Sequence, residues 1–188
     1  YTDWSRPVHV VEAHDVDESW SRYASIDFGT RNPFCCLIAA VDPSDDTLHI
    51  LDEHYRAEWT LTRHAAAMTS MFAKYGEPLT IVADPEDRGS RLSLAQDHDI
   101  VTVKAKKEVR AGVNAVAERL APDVEGRPHL VVHDRCVNLI REIEGYVWAK
   151  KGKANTADKD APLKVNDHAM DALRYLCRHL QRSTFEVG

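Results

Sequence analysis

Three aspartates stand where a carboxylate can do metal chemistry. Asp27 lies late in the apolar run Ser25-Ile26-Asp27-Phe28-Gly29, Asp84 follows Leu79-Thr80-Ile81-Val82-Ala83 and precedes Pro85, and Asp167 opens a helical stretch that carries Asp171 one turn further on. Strand alternation sets Asp27 on the face opposite Ile26 and Phe28. A carboxylate near the middle of a sheet is costly unless it is paired or bound to metal, and Gly29 leaves room for a backbone or ligand to approach. Asp84 ends a buried strand, where mixed sheets often open onto a site; Glu86 and Asp87 beside it read as loop residues. Asp167 and Asp171, four apart, share a helix face. At about 100° per residue, Asp167, Asp171, Arg174 and Arg178 fall on one side of that helix and Ala169, Ala172, Leu173, Leu176 and Leu180 on the other. Taken singly each has a plainer reading: a turn aspartate at a strand end for Asp27 and Asp84, a solvated face for the helical pair, and a helix cap for Asn166 or Asp167. Taken together, two strand ends and a helix can converge at one sheet edge. Carboxylate oxygens suit hard cations such as Mg²⁺ and Mn²⁺. Two such ions, about 3.5–4 Å apart, serve phosphodiester cleavage, one activating water and the other stabilising the leaving oxygen. Without cations, clustered carboxylates repel and raise one another's pKa.

Other chemistries find little support. The chain has no GxxxxGK[ST] phosphate loop, so it should not hydrolyse ATP by itself, and it has neither a GxSxG elbow nor an HExxH motif. His64, His98, His129, His133 and His168 are scattered. His168 sits on the last helix, where it either orients a ligand or water or is an ordinary surface histidine. The cysteines are Cys35, Cys36, Cys136 and Cys177, with no CxxC pair; they read as small buried residues in a reducing cytoplasm rather than as a disulfide frame or zinc site. No stretch approaches the roughly 18–20 apolar residues of a membrane span, and the N-terminal residues lack the apolar core of a signal peptide.

With 24 basic and 30 acidic residues the net charge is −6, which by itself speaks mildly against a nucleic-acid binder. Its distribution says more. Lys104, Lys106, Lys107 and Arg110 form one basic cluster, and Arg141 leads towards a second at Lys150, Lys151 and Lys153. These are candidates for phosphate contact, which positions a duplex without reading its sequence; two solvated charged surfaces are the alternative.

The elements that must position these groups follow from punctuation and period. A length of 188 residues fits one domain, and 44% apolar with 29% charged residues reads as globular. Residues 1–22 have no clean periodicity and read as a tail or linker with one short strand at Val8–Val11. Strands are expected at Tyr23–Phe28, Phe34–Val41 and Thr47–Arg56, separated by the turns Gly29–Pro33 and Asp42–Asp46, which makes an antiparallel meander. Helices and strands then alternate: helices at Leu61–Tyr75, Ser90–Asp97, Val109–Leu120, Val137–Val147 and Asp167–Leu180, strands at Leu79–Ala83, Ile100–Val103 and Leu130–His133, and a polar loop over 149–165. The implied architecture is α/β, a mixed sheet with an antiparallel meander followed by parallel strands, flanked by helices.

The string Val165-Asn166-Asp167-His168-Ala169-Met170-Asp171-Ala172-Leu173-Arg174-Tyr175 resembles the closing motif of the nuclease domain in the large terminase subunit of tailed bacteriophages. Ser25–Gly29 and Val82–Pro85 resemble that family's other two acidic motifs, and further similarity runs through Lys107–Val113 and Leu139–Trp148, covering about residues 23–180. The resemblance implies an RNase H-like fold and an endonuclease that cuts concatemeric phage DNA during packaging. It implies Asp27, Asp84 and Asp167 as ligands of two divalent cations, Mg²⁺ or Mn²⁺, with Asp171 assisting the second ion. It places the lysines at 150–153 near the DNA path and gives Glu142 no role. It also implies a preceding ATPase motor, with residues 1–22 as the linker leaving it, 23–182 as the nuclease domain and 183–188 as a tail. Double-stranded DNA, the small terminase subunit and the portal or procapsid are the implied partners, in the cytoplasm of the infected bacterial host. Two rivals stand beside this reading: another RNase H-like enzyme, such as a transposase or junction resolvase, or a non-catalytic DNA- or protein-binding module of the same fold.

Overall fold

Phe34–Val41 carries no charge and is buried along nearly its whole length, as a central strand must be. The computed structural model describes residues 1–29, 31–146 and 167–181, and in them this strand is the third of seven. In chain order the elements are α1 (Arg6–His9), β1 (Val10–Val11), β2 (Ser21–Asp27), β3 (Phe34–Val41), β4 (Leu48–Arg56), α2 (Leu61–Tyr75), β5 (Thr80–Ala83), α3 (Arg88–His98), β6 (Val103–Lys104), α4 (Val109–Leu120), β7 (Leu130–His133), α5 (Val137–Gly145) and α6 (His168–Leu180). The strands form one sheet in the order β1-β7-β4-β3-β2-β5-β6. β2, β3 and β4 pair antiparallel as the expected meander, and the remaining neighbours pair parallel.

Each face of the sheet carries its own core. On one, Leu37, Leu48 and Ile50 pack with Val116 of α4, Leu139 of α5 and Leu173 of α6; on the other, Ile26 and Ile38 pack with Met68 and Phe72 of α2 and Leu94 of α3. Each fully buried side chain of this size contributes about 1.5–3 kcal/mol. A bulge in β4 divides the two: Ile38 pairs with Asp52 while Ala39 pairs with Ile50, so Leu51 is the extra residue and drops into the second core. Beyond the bulge Glu53 and Tyr55 point to the α5–α6 side, where their side chains bond α5 residues.

Three departures from the sequence reading have physical reasons. The short strand expected at Val8–Val11 begins only at Val10, because Pro7 falls in the first turn of α1, where its missing N–H costs nothing. β1 then pairs with β7, and Tyr1 and Trp4 pack on the first core, so this segment joins the sheet. The strand expected at Ile100–Val103 reduces to Val103–Lys104, because Asp99 ends α3 in the left-handed region and turns Ile100 into the core. Helix α6 does not leave one polar side to solvent: Arg174 is buried, packed against Gly112 of α4 and ion-paired to Asp171. All four cysteines are buried and free. The helix expected to reach Val147 stops at Gly145, where Tyr146 turns to extended backbone, and the loop expected over 149–165 lies outside the described residues.

Candidate active site

β2 and β5 run parallel with Ile26 beside Ala83, so the residues that follow, Asp27 and Asp84, leave the same edge of the sheet side by side. The amide of Asp84 donates to the carbonyl of Ile26 at 3.3 Å and keeps the two strand ends in step. Helix α6 lies across β2 and begins at this edge, with Asp167 at its N-cap position and Asp171 one turn on. A concavity of about 440 Å³ opens there, and Asp27, Asp84, Asp167 and Asp171 all line it, together with Glu86, Lys107 and His168. The convergence expected from two strand ends and a helix is therefore present.

The carboxylates are in unlike environments. Asp27 is 7% exposed and Oδ2 accepts from Nδ1 of His168 at 2.9 Å. Burial pushes its carboxyl up to about 6; the hydrogen bond from His168 opposes this, and the charges of Asp171 and Asp84 add to it. The same hydrogen bond holds His168 above the ordinary histidine value against its own burial. The pair thus holds one proton more readily than either group would in water. Asp84 Oδ1 accepts from the amide of Glu86 at 2.9 Å and lies 3.9 Å from Nζ of Lys107, which also pairs with Glu86. Asp171 is held by the buried guanidinium of Arg174. An all-oxygen set of this kind is the donor chemistry that hard divalent cations take, so the side chains fit the ions implied by the sequence resemblance.

The turn after β2 keeps the concavity in shape. A Cβ on Gly29 would be driven into the backbone carbonyls of Asn32 and Pro33, so the chain folds back here because residue 29 has no side chain. The N-terminus of α6 is fixed from another direction. Glu142 of α5, 4% exposed, accepts from the amides of Ala169 at 2.7 Å and Met170 at 3.1 Å, and from the hydroxyl of Tyr55 at 2.6 Å. It does for α6 what an N-cap side chain does locally, taking orphan N–H groups and setting a carboxylate at the positive end of the helix. Glu53 of β4 serves α5 in the same way, accepting from Asn138 and Leu139. The sequence carries a sign of this: Glu142 lies on the apolar stripe of Leu139 and Ile143, where a charge needs a partner.

Of the basic residues singled out in the sequence, Lys107 lines the concavity and Lys104, Lys106 and Arg110 are exposed on the chain around it. Lys150, Lys151 and Lys153 lie outside the described residues. No described helix is long and apolar enough to cross a membrane.

A family model described as the terminase RNase H-like domain matches residues 24–180. The chain belongs to that family. Solved structures agree on the fold. The large terminase of a thermophilic bacteriophage superposes with a TM-score of 0.80 at 24% identity over 97% of this chain and 44% of that one. The nuclease domain of the large terminase of bacteriophage SPP1, with bound Mn, gives 0.66 at 20% identity over 89% and 93%. That of the P22 large terminase gives 0.71 at 16% over 92% and 87%. The chain thus spans less than half the length of the thermophilic phage's large terminase. No match to a curated protein sequence was found. The mixed sheet with flanking helices is the RNase H-like architecture of this terminase family.

Proposed function

We propose that this terminase domain is a divalent-metal-dependent endodeoxyribonuclease that cuts concatemeric viral DNA during genome packaging, with little sequence preference. The observation that carries the reading is the meeting of Asp27, Asp84, Asp167 and Asp171 in one concavity of a terminase-family fold. Asp27, Asp84 and Asp167 are assigned as ligands of two Mg²⁺ or Mn²⁺ ions, with Asp171 assisting the second. The Mn bound to the SPP1 domain supports an ion of this class. Bound there, the ions would supply an activated water and neutralise the leaving oxygen. The residues of the chain do the rest. His168 orients Asp27 through the hydrogen bond from Nδ1. Arg174 fixes the carboxylate of Asp171. Lys107, already facing two carboxylates, is placed to exchange them for a DNA phosphate. Lys104, Lys106 and Arg110, and Lys150, Lys151 and Lys153 beyond them, are assigned to the duplex backbone, so binding should weaken steeply with salt. In the whole protein an ATPase motor domain, the small subunit and the portal are the proposed partners, acting in the host cytoplasm. The family assignment favours this over a transposase or resolvase.

The test is plasmid cleavage with Mn²⁺, Mg²⁺ or EDTA, comparing wild type with Asp27→Ala. The expected result is metal-dependent loss of supercoiled DNA, abolished in the variant and without a single recognition site in the products. Equal cleavage by both proteins removes Asp27 from the site. No cleavage with either metal, together with retained DNA binding, favours a binding module.

A further inference from the structure

His14, His49 and His133 each offer a ring nitrogen within 4.8 Å of the other two. They come from three parts of the chain: His49 from β4, His133 from the end of β7, and His14 from the segment between β1 and β2. In β4 the neighbours Leu48 and Ile50 face the α4–α6 core, as does Val132 in β7, so His49 and His133 project from the other face of the sheet. The histidines and the aspartates at α6 are therefore on opposite sides of it.

The rings are unusually short of partners. His133 is wholly buried, and neither of its nitrogens has a hydrogen-bond partner; buried Nδ1 of His49 also lacks one. Buried polar atoms left without a partner are costly, so three on two adjacent strands call for a ligand. His14 is exposed, and its Nδ1 donates to the carbonyl of Glu12 at 2.8 Å, which fixes the tautomer and leaves Nε2 with a lone pair. Metal-bound histidines characteristically make this outer contact to a carbonyl. The rings of His14 and His133 lie 4.6 Å apart, centre to centre, and Trp20 covers His49 at 5.0 Å.

We propose that His14, His49 and His133 bind a borderline-soft divalent ion of the zinc class, at a site separate from the acidic concavity. Three imidazoles suit zinc and disfavour magnesium. Nitrogens sharing a tetrahedral zinc lie about 3.4 Å apart, given bonds of about 2.0–2.1 Å. The rings of His49 and His133 are the widest pair, 6.3 Å between centres, so closing the present spread of up to 4.8 Å takes side-chain rotation of these two as well as a movement of His14, which is exposed and outside any strand or helix. The ion clasps the segment between β1 and β2 to the two strands beneath it and leaves its fourth position to water.

Co²⁺ reports such a site through the visible absorption of a low-symmetry nitrogen-bound ion. The 188-residue chain, stripped with EDTA and desalted, is titrated with Co²⁺ and then Zn²⁺, as wild type, as Asp27→Asn/Asp84→Asn, and as His14→Gln. His14 is exposed, so its variant should fold, checked by circular dichroism. The expected result is one equivalent of Co²⁺ absorbance, displaced by Zn²⁺, kept in the double aspartate variant and weakened at least tenfold in folded His14→Gln. Absence of the band from wild type overturns the site, as does a band that His14→Gln leaves unchanged or that the aspartate variant abolishes. The readout is independent of nuclease activity, so it stands or falls apart from the proposed function.

Discussion

Replacing Glu142 by Ala strips three hydrogen bonds from one buried point: those from Tyr55, Ala169 and Met170. Loss of a helix cap costs about 1 kcal/mol, and a buried donor left without an acceptor costs about 1–3 kcal/mol. The hydroxyl of Tyr55 is only half-buried and can turn to water, so the amides of Ala169 and Met170 dominate. A total near 3 kcal/mol follows, or roughly 6–12 °C of melting temperature at 2–4 °C per kcal/mol for a chain of this size. Glu142→Gln should cost about 1 kcal/mol, because one amide oxygen can still face the helix while its NH₂ donates to the hydroxyl of Tyr55. The claim that Glu142 positions the site needs a control of equal cost elsewhere. Leu120→Ala, at the opposite end of α4 from Lys107, removes a wholly buried leucine and costs about 2–5 kcal/mol. The assay is plasmid cleavage at a temperature where all variants are folded. Glu142→Ala should lose most activity, Glu142→Gln should recover much of it, and Leu120→Ala should retain it. A Glu142→Ala protein that melts with wild type, or cleaves as well as Leu120→Ala, refutes the reasoning.

Other expectations concern charge, acidity and backbone. His54 is pushed down to about 4, first by burial and then by His64 and Arg56. Its contribution is therefore complete above the unfolded value of about 6.5 and is lost as pH falls towards 4, by roughly 1–2 kcal/mol once solvent screening of this half-buried ring is allowed for. Urea melts of His54→Asn should show a shallower decline between pH 6.5 and 4.5, and parallel declines would count against it. Lys107→Ala should weaken duplex binding at low salt and reduce the slope of log affinity against log salt by about 1; an unchanged slope removes Lys107 from the DNA path. Gly29→Ala must push back the carbonyls of Asn32 and Pro33. Its crystal structure should show the turn displaced and its cleavage rate should fall at least tenfold, whereas wild-type activity would mean that the turn does not shape the site.

Punctuation makes most of the elements readable. The uncharged run from Phe34 to Val41 and the helix from Leu61 to Tyr75, stopped by Gly76, keep their expected bounds because neighbours only reinforce what local pattern already dictates. The aspartates are legible because each interrupts or ends an apolar run, an arrangement with few alternatives once the strands pair. What escapes depends on contacts distant in the chain. Arg174 reads as solvated because helical geometry says which residues share a side, not whether Gly112 of another helix closes over that side. The role of Glu142 needs partners 87 residues before it and 27 after. His14, His49 and His133 are far apart in the chain, and only the β4–β7 pairing and the path after β1 bring them together.

The anchoring of α6 bears on how relatives of this domain can diverge. Its first turn is fastened by a carboxylate of α5, which is itself fastened by one from β4. The start of α6 is thereby tied to the sheet through two carboxylates in series. A relative that changes one of them has to change its counterpart on the next element, or let the acidic concavity drift, so Glu53 and Glu142 should vary together or not at all.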